Sequence, residues 1–325
     1  MKNISKKILY WYDNNKRDLP WRKPKTKKQS QYFTLVSEIM LQQTQVKAVI
    51  PYFLRFIKEI PDIKKLSLIS EKKLLKLWEG LGYYSRAKNL KKTAKLIVRR
   101  YNHYLPESID ELIQLPGIGD YTSKAILALE FNKKVIPIDG NIERLLKRLL
   151  FLKKENEVTK DSLIEKSSFF GNSYRQRDYV QALMELGSLI CKPLEPSCGI
   201  CPLTKTCKSY KLKNFEITKK IKLKKTKYFK ANIYIYKNKM FLIKNEKFNF
   251  LKNLLIFPMN EIDKKEYNSS FEKKTQIKLS NMDMKIIINK NVKIPNKNGT
   301  LINSKKISSE IIPSFTKKIF RVALS

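Results

Sequence analysis

All four cysteines of this 325-residue chain lie between Cys191 and Cys207, with the spacing C-x6-C-x2-C-x5-C. Thiols gathered at short range in a reducing compartment are more typical of metal ligands than of disulfides. Structural zinc sites usually combine two short pairs that are far apart in sequence, whereas here one pair is flanked by single cysteines. The spacing alone leaves zinc and an iron–sulfur cluster as equal alternatives.

Two carboxylates and a glycine-rich turn also have the types and spacing of functional residues. Gly117 and Gly119 directly precede a predicted helix, where the backbone can approach a phosphate and free N–H groups can bind it. An ordinary interhelical turn is the alternative. Asp139 precedes another predicted helix and is typical of an N-cap. Glu38 lies almost opposite the apolar stripe of its helix, so a solvated glutamate is the simplest interpretation.

The elements that must position these residues are mainly helical. Apolar residues with helical periodicity cover most of residues 2–190. Alternation typical of strands begins only after the cysteines, where residues 231–236 and 240–243 predict a hairpin around a Lys-Asn-Lys turn. Residues 319–324 are also strand-like. The lysine-dense segment 208–227 predicts a linker between the two regions.

The charge of the chain favours a polyanionic partner. Lysine and arginine number 68 against 29 acidic residues, a formal net charge of +39. Counterion release would favour nucleic acid at such a surface, although a composition bias toward lysine across the whole chain is an equal alternative. No apolar run approaches the roughly 20 residues of a transmembrane helix. The amino terminus lacks a signal-peptide core, so we expect a cytoplasmic protein without membrane contact.

Several of these patterns together resemble one family. The cysteine spacing, after a helix that ends Leu186-Gly-Ser-Leu-Ile-Cys191, closely resembles the [4Fe–4S] loop of the endonuclease III and MutY superfamily of DNA glycosylases. The stretch Leu115-Pro-Gly-Ile-Gly-Asp-Tyr121 is similar to the helix-hairpin-helix of that superfamily. Ser37-Glu-Ile-Met-Leu-Gln-Gln-Thr-Gln-Val46 matches, almost letter for letter, the catalytic helix of MutY-type adenine DNA glycosylases. The resemblance covers residues 4–207 and implies a [4Fe–4S] cofactor on Cys191, Cys198, Cys201 and Cys207.

The resemblance also implies catalytic roles. Glu38 would be the general acid that protonates adenine N7, which requires a carboxyl with a raised pKa. Asp139 would stabilise the oxocarbenium ion at C1′ or bond to it. Asn141 would orient the carboxylate of Asp139. In bifunctional members a lysine that attacks the sugar stands where this chain has Tyr121, and a phenol cannot form a Schiff base. Glu143 stands where some relatives have a second lysine, so the resemblance implies a monofunctional enzyme.

Other matched residues are implied to bind the extruded base and the DNA. The hairpin glycines would hold the DNA backbone, while lysines beside the cysteines would approach phosphates. Aromatic and apolar residues would sandwich the flipped base or enter the base stack. The implied base-pocket and DNA-binding residues are Arg17, Leu19, Trp21, Arg22, Leu41, Gln42, Gln43, Leu81, Tyr83, Arg86, Gly117, Gly119 and Glu185.

The C-terminal region resembles the family more loosely. Residues 228–325 are similar to the Nudix-like domain with which the family recognises 8-oxoguanine, but the glutamate motif of Nudix hydrolysis is absent. The lesion-reading Phe-Ser-His pattern is reduced to Phe315-Thr-Lys317, in which Thr316 keeps a hydroxyl and a lysine replaces the histidine. We therefore expect weaker discrimination of 8-oxoguanine from guanine with intact adenine chemistry.

The sequence thus predicts a mainly α helix-hairpin-helix glycosylase with a small, degenerate α+β Nudix-like domain. We expect a cluster-bearing helical domain (1–20 and 131–210), a six-helix barrel (21–130), a linker (211–227) and the C-terminal domain (228–325). The predicted function is removal of adenine opposite 8-oxoguanine or guanine in double-stranded DNA, by a monomer. The alternatives are an endonuclease III-like glycosylase and lyase for oxidised pyrimidines, and a non-catalytic DNA-binding relative.

Overall fold

The computed structural model describes residues 4–152, 158–216, 225–279, 282–291, 293, 295, 298–307 and 312–325. The chain divides into two compact units. The first contains Met1–Ile69 and Lys88–Lys219, and the second contains Ser70–Ala87 and Lys220–Ser325. The helical segment Ser70–Ala87 therefore groups with the C-terminal region. The division into a cluster domain and a six-helix barrel remains a prediction.

Helices dominate the chain up to the cysteines, as the periodicity predicts. Side chains at several N-caps accept backbone N–H groups, among them Thr26, Asp62, Ser70, Asp139 and Thr159, which satisfies donors that the first helical turn leaves unpaired. The helices are α1 (Ile4–Asn15), α2 (Lys27–Leu41), α3 (Val46–Glu59), α4 (Ile63–Leu68), α5 (Glu71–Leu77), α6 (Tyr84–Arg100), α7 (Ile109–Ile113), α8 (Asp120–Phe131), α9 (Gly140–Leu150), α10 (Lys160–Lys166), α11 (Gln176–Glu185) and α12 (Lys208–Lys211).

The core of the first unit packs α1 and α11 against α9. Ile8, Leu146, Tyr179 and Leu183 are fully buried there, and each such side chain stabilises the fold by about 1.5–3 kcal/mol relative to exposure. The hydroxyl of Tyr179 donates to the carbonyl of Phe170 at 2.7 Å, so its polar end is also satisfied. A π-helical turn, Leu186–Ile190, continues α11 directly into the first cysteine.

Helix α2 differs from the amphipathic helix that its sequence suggests. Every residue from Ser30 to Met40 is buried, because neighbouring elements cover α2 on all sides. Glu38 is consequently only 8% exposed. The solvated glutamate is therefore the wrong interpretation, since a helical wheel shows the polarity of a face and not what covers it.

The described residues of the second unit form a sheet of seven strands. Its order is β3-β2-β1-β6-β5, with β4 also paired to β1 and β7 to β2. The long strand β1 pairs parallel with β6 and antiparallel with β2 and β4. The strands are β1 (Lys225–Tyr236), β2 (Lys239–Lys244), β3 (Leu255–Ile256), β4 (Met259–Ile262), β5 (Lys273–Leu279), β6 (Met282–Asn291) and β7 (Thr300–Asn303), with helices α13 (Lys264–Ser269) and α14 (Ser314–Leu324).

The predicted hairpin is confirmed, and its turn shows why it forms. Tyr236 pairs with Lys239, and the two residues between them, Lys237 and Asn238, have φ of 44° and 60°. Positive φ at both positions is the geometry of the tight turns that match the twist of antiparallel strands.

One expectation about local structure is wrong, and the predicted linker remains a prediction. Residues 319–324 belong to α14, because Phe315, Ile319, Phe320 and Ala323 bury one helical face in the core of the second unit. In the predicted linker, Lys208–Lys211 form α12 and β1 begins at Lys225, while residues 217–224 lie outside the described residues. Within the described ranges every helix is too short or too polar to span a bilayer.

Candidate active site

A cavity of about 520 Å³ in the first unit brings most of the predicted site residues together. Its walls come from the turn before α2, from α2 itself, from the N-termini of α8 and α9, and from one face of α11. The predicted residues that line it are Arg17, Leu19, Trp21, Arg22, Glu38, Leu41, Gln42, Gln43, Tyr121, Asp139 and Asn141.

The cavity changes the acid–base chemistry of Glu38. Burial, and secondarily the negative charge of Asp139, raise the pKa of its carboxyl from 4.5 to about 7. A hydrogen bond from the Tyr121 hydroxyl opposes this rise. The carboxyl therefore exchanges a proton near neutral pH, which is what a general acid requires.

Asp139 caps α9 and faces the same cavity. Its Oδ1 accepts the backbone N–H groups of Asn141 at 2.9 Å and Ile142 at 2.7 Å. Its Oδ2 accepts Nδ2 of Asn141 at 2.8 Å. The N-cap interpretation and the implied catalytic position are thus compatible, because the capping bonds hold the carboxylate in place.

Arg144 fixes the orientation of Asn141. Its Nη2 donates to Oδ1 of Asn141 at 2.8 Å and to the carbonyl of Gly187 at 2.6 Å, and its Nε donates to the carbonyl of Cys191 at 2.7 Å. Because a guanidinium only donates, the amide nitrogen of Asn141 must point at Asp139. A chain of hydrogen bonds therefore joins the first cysteine to the carboxylate in the cavity.

Tyr121 is held as a neutral phenol. Burial, followed by the charges of Glu38 and Asp139, raises its pKa well above 10. The hydroxyl is therefore a hydrogen-bond donor to Glu38 throughout the physiological pH range, which fixes the carboxyl within the cavity.

Glu185 does not line the cavity but lies behind its arginines. Its side chain is fully buried, and Oε1 contacts Nη1 of Arg22 at 2.5 Å and Nε of Arg17 at 3.3 Å. Its Oε2 accepts the backbone N–H of Arg17 at 3.1 Å. One buried carboxylate thus orients two guanidinium groups, both of which line the cavity.

The predicted hairpin residues lie beside the cavity. Gly117 has φ of 84°, and a Cβ there would approach that of Asn89 to 3.0 Å, so glycine is required. Gly119 is the N-cap of α8, and a Cβ there would meet no heavy atom within 4 Å. Nε2 of Gln42 donates to the carbonyl of Gly117 at 3.3 Å. This bond ties the end of α2 to the hairpin.

Leu81, Tyr83 and Arg86 belong to the second unit. The Arg86 guanidinium lies over the rings of Trp78 and Tyr83, at 5.7 and 5.3 Å from their centroids. Its Nη2 donates to the carbonyls of Leu81 and Gly82. Arg86 therefore organises the turn from inside, whereas Tyr83 remains 41% exposed.

Sequence reasoning missed several residues of the cavity. Thr34 and Ser37 line the cavity from the same face of α2 as Glu38. On the helix before the first cysteine, the lining residues are spaced three or four residues apart: Arg177, Gln181, Met184 and Ser188. That spacing is a helical-face signal which could have identified them. The missed lining residues are Thr34, Ser37, Thr44, Val46, Leu129, Gly140, Arg177, Gln181, Met184 and Ser188.

All four cysteines line a second cavity of the first unit, and none of them forms a disulfide. Burial is the largest cause of a raised pKa at Cys198, Cys201 and Cys207, and it brings Cys201 to about 11. Nη1 of Arg148 donates to Sγ of Cys191 at 3.4 Å. Within the described ranges no three His, Cys, Asp or Glu side chains form a group that could hold one metal ion. All four thiols nevertheless line this one cavity, and thiolates are the type of ligand that an iron–sulfur cluster uses.

Known proteins share this architecture. Residues 36–167 match the HhH-GPD superfamily of base excision DNA repair proteins. A solved thermostable thymine-DNA glycosylase superposes with a TM-score of 0.58 at 26% identity, covering 65% of this chain and 96% of that one. A trapped endonuclease III–DNA intermediate, at 19% identity and a TM-score of 0.54, shares the fold over 65% of this chain and 96% of its own. Fold and cavity together define a DNA N-glycosylase of the helix-hairpin-helix class.

The sequence relatives narrow this class. The adenine DNA glycosylase of Buchnera aphidicola subsp. Baizongia pistaciae (strain Bp) is 43% identical over 257 residues, which cover 77% of this chain and 72% of the relative. The chain belongs to the adenine DNA glycosylase family. The fold class and the family that the sequence predicts are thus confirmed.

Proposed function

We propose that this protein is a monofunctional glycosylase that hydrolyses the N-glycosyl bond of adenine mispaired with 8-oxoguanine or guanine in duplex DNA. The observation that carries the proposal is the pairing, in one cavity, of Glu38 at a pKa of about 7 with the carboxylate of Asp139. When two carboxyl groups have different environments, one can act as the general acid while the other stays ionised and stabilises positive charge.

In the proposed reaction Glu38 donates its proton to N7 of the extruded adenine. The base then leaves as a neutral group, and Asp139 stabilises the positive charge that develops at C1′ or bonds to it. Water completes the hydrolysis. Tyr121 orients Glu38 but offers no amine, so no Schiff base forms and the DNA strand is left intact at the abasic site.

The remaining residues of the cavity would hold the base. Trp21 is fixed by an edge contact with Phe53, with ring centroids 5.4 Å apart, and would form one wall of a sandwich with Leu41. Arg17 and Arg22 line the cavity and pair with Glu185, and their remaining guanidinium N–H groups would face the base. Such donors suit the ring nitrogen acceptors of adenine.

The DNA would be held outside the cavity. The hairpin at Gly117 and Gly119 offers backbone N–H groups to a phosphate, and the excess of basic residues supplies the non-specific part of the affinity. Tyr83, which is 41% exposed, would enter the base stack during extrusion, whereas Leu81 is only 7% exposed. We propose that the enzyme works as a monomer in the cytoplasm.

The cysteines would hold a [4Fe–4S] cluster. Thiolates are the ligands that such a cluster needs, and a cluster would supply the positive charge that buried thiolates require. Because Arg144 bonds both the carbonyl of Cys191 and the side chain of Asn141, an ordered cysteine loop would also hold Asn141 in place. Protein purified without oxygen is expected to contain iron and inorganic sulfide in equal amounts, whereas bound zinc without sulfide would reject the cluster.

The contacts of the C-terminal residues support weak reading of the opposite base. Phe315 and Thr316 are 3% and 0% exposed, and Oγ1 of Thr316 donates to the carbonyl of Leu255 at 3.0 Å. The hydroxyl that would read the lesion is therefore already used. With one or two hydrogen bonds lost, each worth about 0.5–1.5 kcal/mol, we expect the preference for 8-oxoguanine over guanine to be roughly two- to hundredfold smaller than in a relative with the complete Phe-Ser-His pattern.

Single-turnover base release tests the function. The substrates are duplexes with adenine opposite 8-oxoguanine, adenine opposite guanine, and thymine glycol, each with and without alkali. Adenine release with strand breaks only after alkali is expected. Thymine glycol release with breaks before alkali would instead favour an endonuclease III-like lyase, and binding without any release would leave a non-catalytic relative.

The pH dependence of release follows from Glu38. Because its pKa is raised to about 7, the acid form predominates below that pH. The single-turnover rate is expected to be constant near pH 5–6 and to fall about tenfold per pH unit above 8. Rates at constant ionic strength between pH 5 and 9 measure this. A profile that is flat across pH 7 in a protein that stays folded would remove Glu38 as the acid.

A further inference from the structure

A mostly buried ion pair joins two distant parts of the second unit. Nζ of Lys317, on α14, contacts Oε1 of Glu79, which follows α5. The other carboxylate oxygen of Glu79 contacts Nζ of Lys76 at 2.7 Å. The side chains of Lys317 and Glu79 are only 21% and 14% exposed. Such a pair couples more strongly than a surface pair, which contributes about 0–1 kcal/mol.

The Lys317 end of this pair is firmly anchored. Phe315, Ile319 and Phe320 on the same helix are buried in the core of the second unit. Thr316, beside the lysine, donates to the carbonyl of Leu255. The ammonium group therefore projects from a backbone that packing holds in one position.

The Glu79 end directly precedes a turn with unusual backbone geometry. Gly80, Gly82 and Tyr83 have φ of 98°, 77° and 47°, and positive φ costs energy at a residue with a side chain. Nε1 of Trp78 donates to the carbonyl of Gly82 at 3.0 Å. At the tip of this turn Tyr83 is exposed. Such a turn persists only if contacts with the surrounding residues hold its backbone in place.

We propose that Glu79 and Lys317 are positioning residues that hold the turn of residues 80–83 in its DNA-wedging conformation. The inference rests on the proposed function, since it assigns a support to the proposed wedge. It also gives the C-terminal unit a role other than reading the lesion. Because the ammonium of Lys317 pairs with Glu79, its contribution to adenine release should be the same opposite 8-oxoguanine and opposite guanine.

A double-mutant cycle tests the pair. The variants are Lys317→Met, Glu79→Gln, their combination, and the charge reversal Glu79→Lys with Lys317→Glu. Lys317→Arg tests rescue by a conservative change. Lys318→Met is the matched control, because Lys318 is the exposed neighbour on the same helix and donates to the backbone carbonyl of Gln276. Thermal unfolding is measured for every variant.

Lys317→Met and Glu79→Gln are each expected to release adenine from duplexes about tenfold more slowly, which corresponds to 1.4 kcal/mol. Extrusion, followed by the fluorescence of 2-aminopurine in place of the target adenine, should fall in parallel. Release of adenine from a single strand, which needs no wedge, should change less than about twofold. The combined variant should be no worse than either single variant, and the charge reversal should recover most of the rate.

Several outcomes would overturn the proposal. Additive losses in the cycle, or equal losses on duplex and single strand, would leave the pair without a role in the wedge. A loss confined to duplexes with 8-oxoguanine would make Lys317 a lesion reader instead. Failure of the proposed function is distinguishable, because the wild-type protein would then release no adenine, while 2-aminopurine fluorescence would still report extrusion.

Discussion

Replacing Glu38 by glutamine is expected to slow single-turnover adenine release by about 10²–10⁴-fold, the usual contribution of a general acid. Glutamine keeps the shape of the side chain and its bond to Tyr121 but cannot transfer a proton to N7. The residual rate should no longer depend on pH around 7. Affinity for a duplex that holds a non-cleavable adenosine analogue should change much less, because the base still enters the same cavity.

The stability of Glu38→Gln provides an independent check. A carboxyl whose pKa rises from 4.5 to about 7 on folding favours the folded state below pH 4.5, and this benefit is lost as pH rises through 7. At pH 8 the buried charge costs on the order of 3 kcal/mol. The variant should therefore melt higher than the wild type at pH 8. Glu130→Gln removes another buried carboxylate, which contacts the lining residues Thr34 and Arg177 without lining the cavity itself, and should lower release much less than Glu38→Gln. Comparable losses in both variants would show a general effect of charge removal.

Replacing Asp139 by asparagine is expected to lower release by at least about 10²–10³-fold, the effect of removing one preorganised electrostatic stabiliser. The negative charge that would face C1′ disappears. In addition, the new amide meets Nδ2 of Asn141, which cannot turn away because Arg144 holds its oxygen. Single-turnover rates, together with the affinity for an uncleaved substrate duplex, measure the effect.

The fold should survive this change, because asparagine caps helices about as well as aspartate. Asp62→Asn is the matched control. Asp62 caps α4 through the backbone N–H of Lys65 at 2.7 Å, and it lies outside the cavity. Its variant should show the same small change in unfolding temperature and full activity. If Asp139→Asn released adenine at the wild-type rate, Asp139 would be a cap without a catalytic role.

Local patterns were most informative where a function depends on consecutive residues. The cysteine spacing, the hairpin glycines and the stretch from Ser37 to Val46 were sufficient to indicate the family, because each presents its groups from one short segment. The hairpin of β1 and β2 was predictable for the same reason. The tail at residues 319–324 was not, since its apolar residues suit either a strand or a helix until a core selects one face.

The site depended more on partners that are distant in sequence. The contact of Arg17 and Arg22 with Glu185 spans more than 160 residues, and the pairing of Lys317 with Glu79 spans 238. Neither ion pair has a local signature, since charged residues are abundant in this chain. The lining residues on α11 were predictable as a helical face, but not as part of this cavity.

The sequence by itself determined the family, the helical framework, the thiol loop and the identity of the residues that could act as acid and stabiliser. Only the tertiary structure decided what those residues can do. Glu38 has a polar position on its helix, and it becomes an acid near pH 7 because other elements remove water from it and bring Asp139 close. Desolvation and Coulomb interactions act through space, so they are set by what packs around a residue and not by its neighbours along the chain.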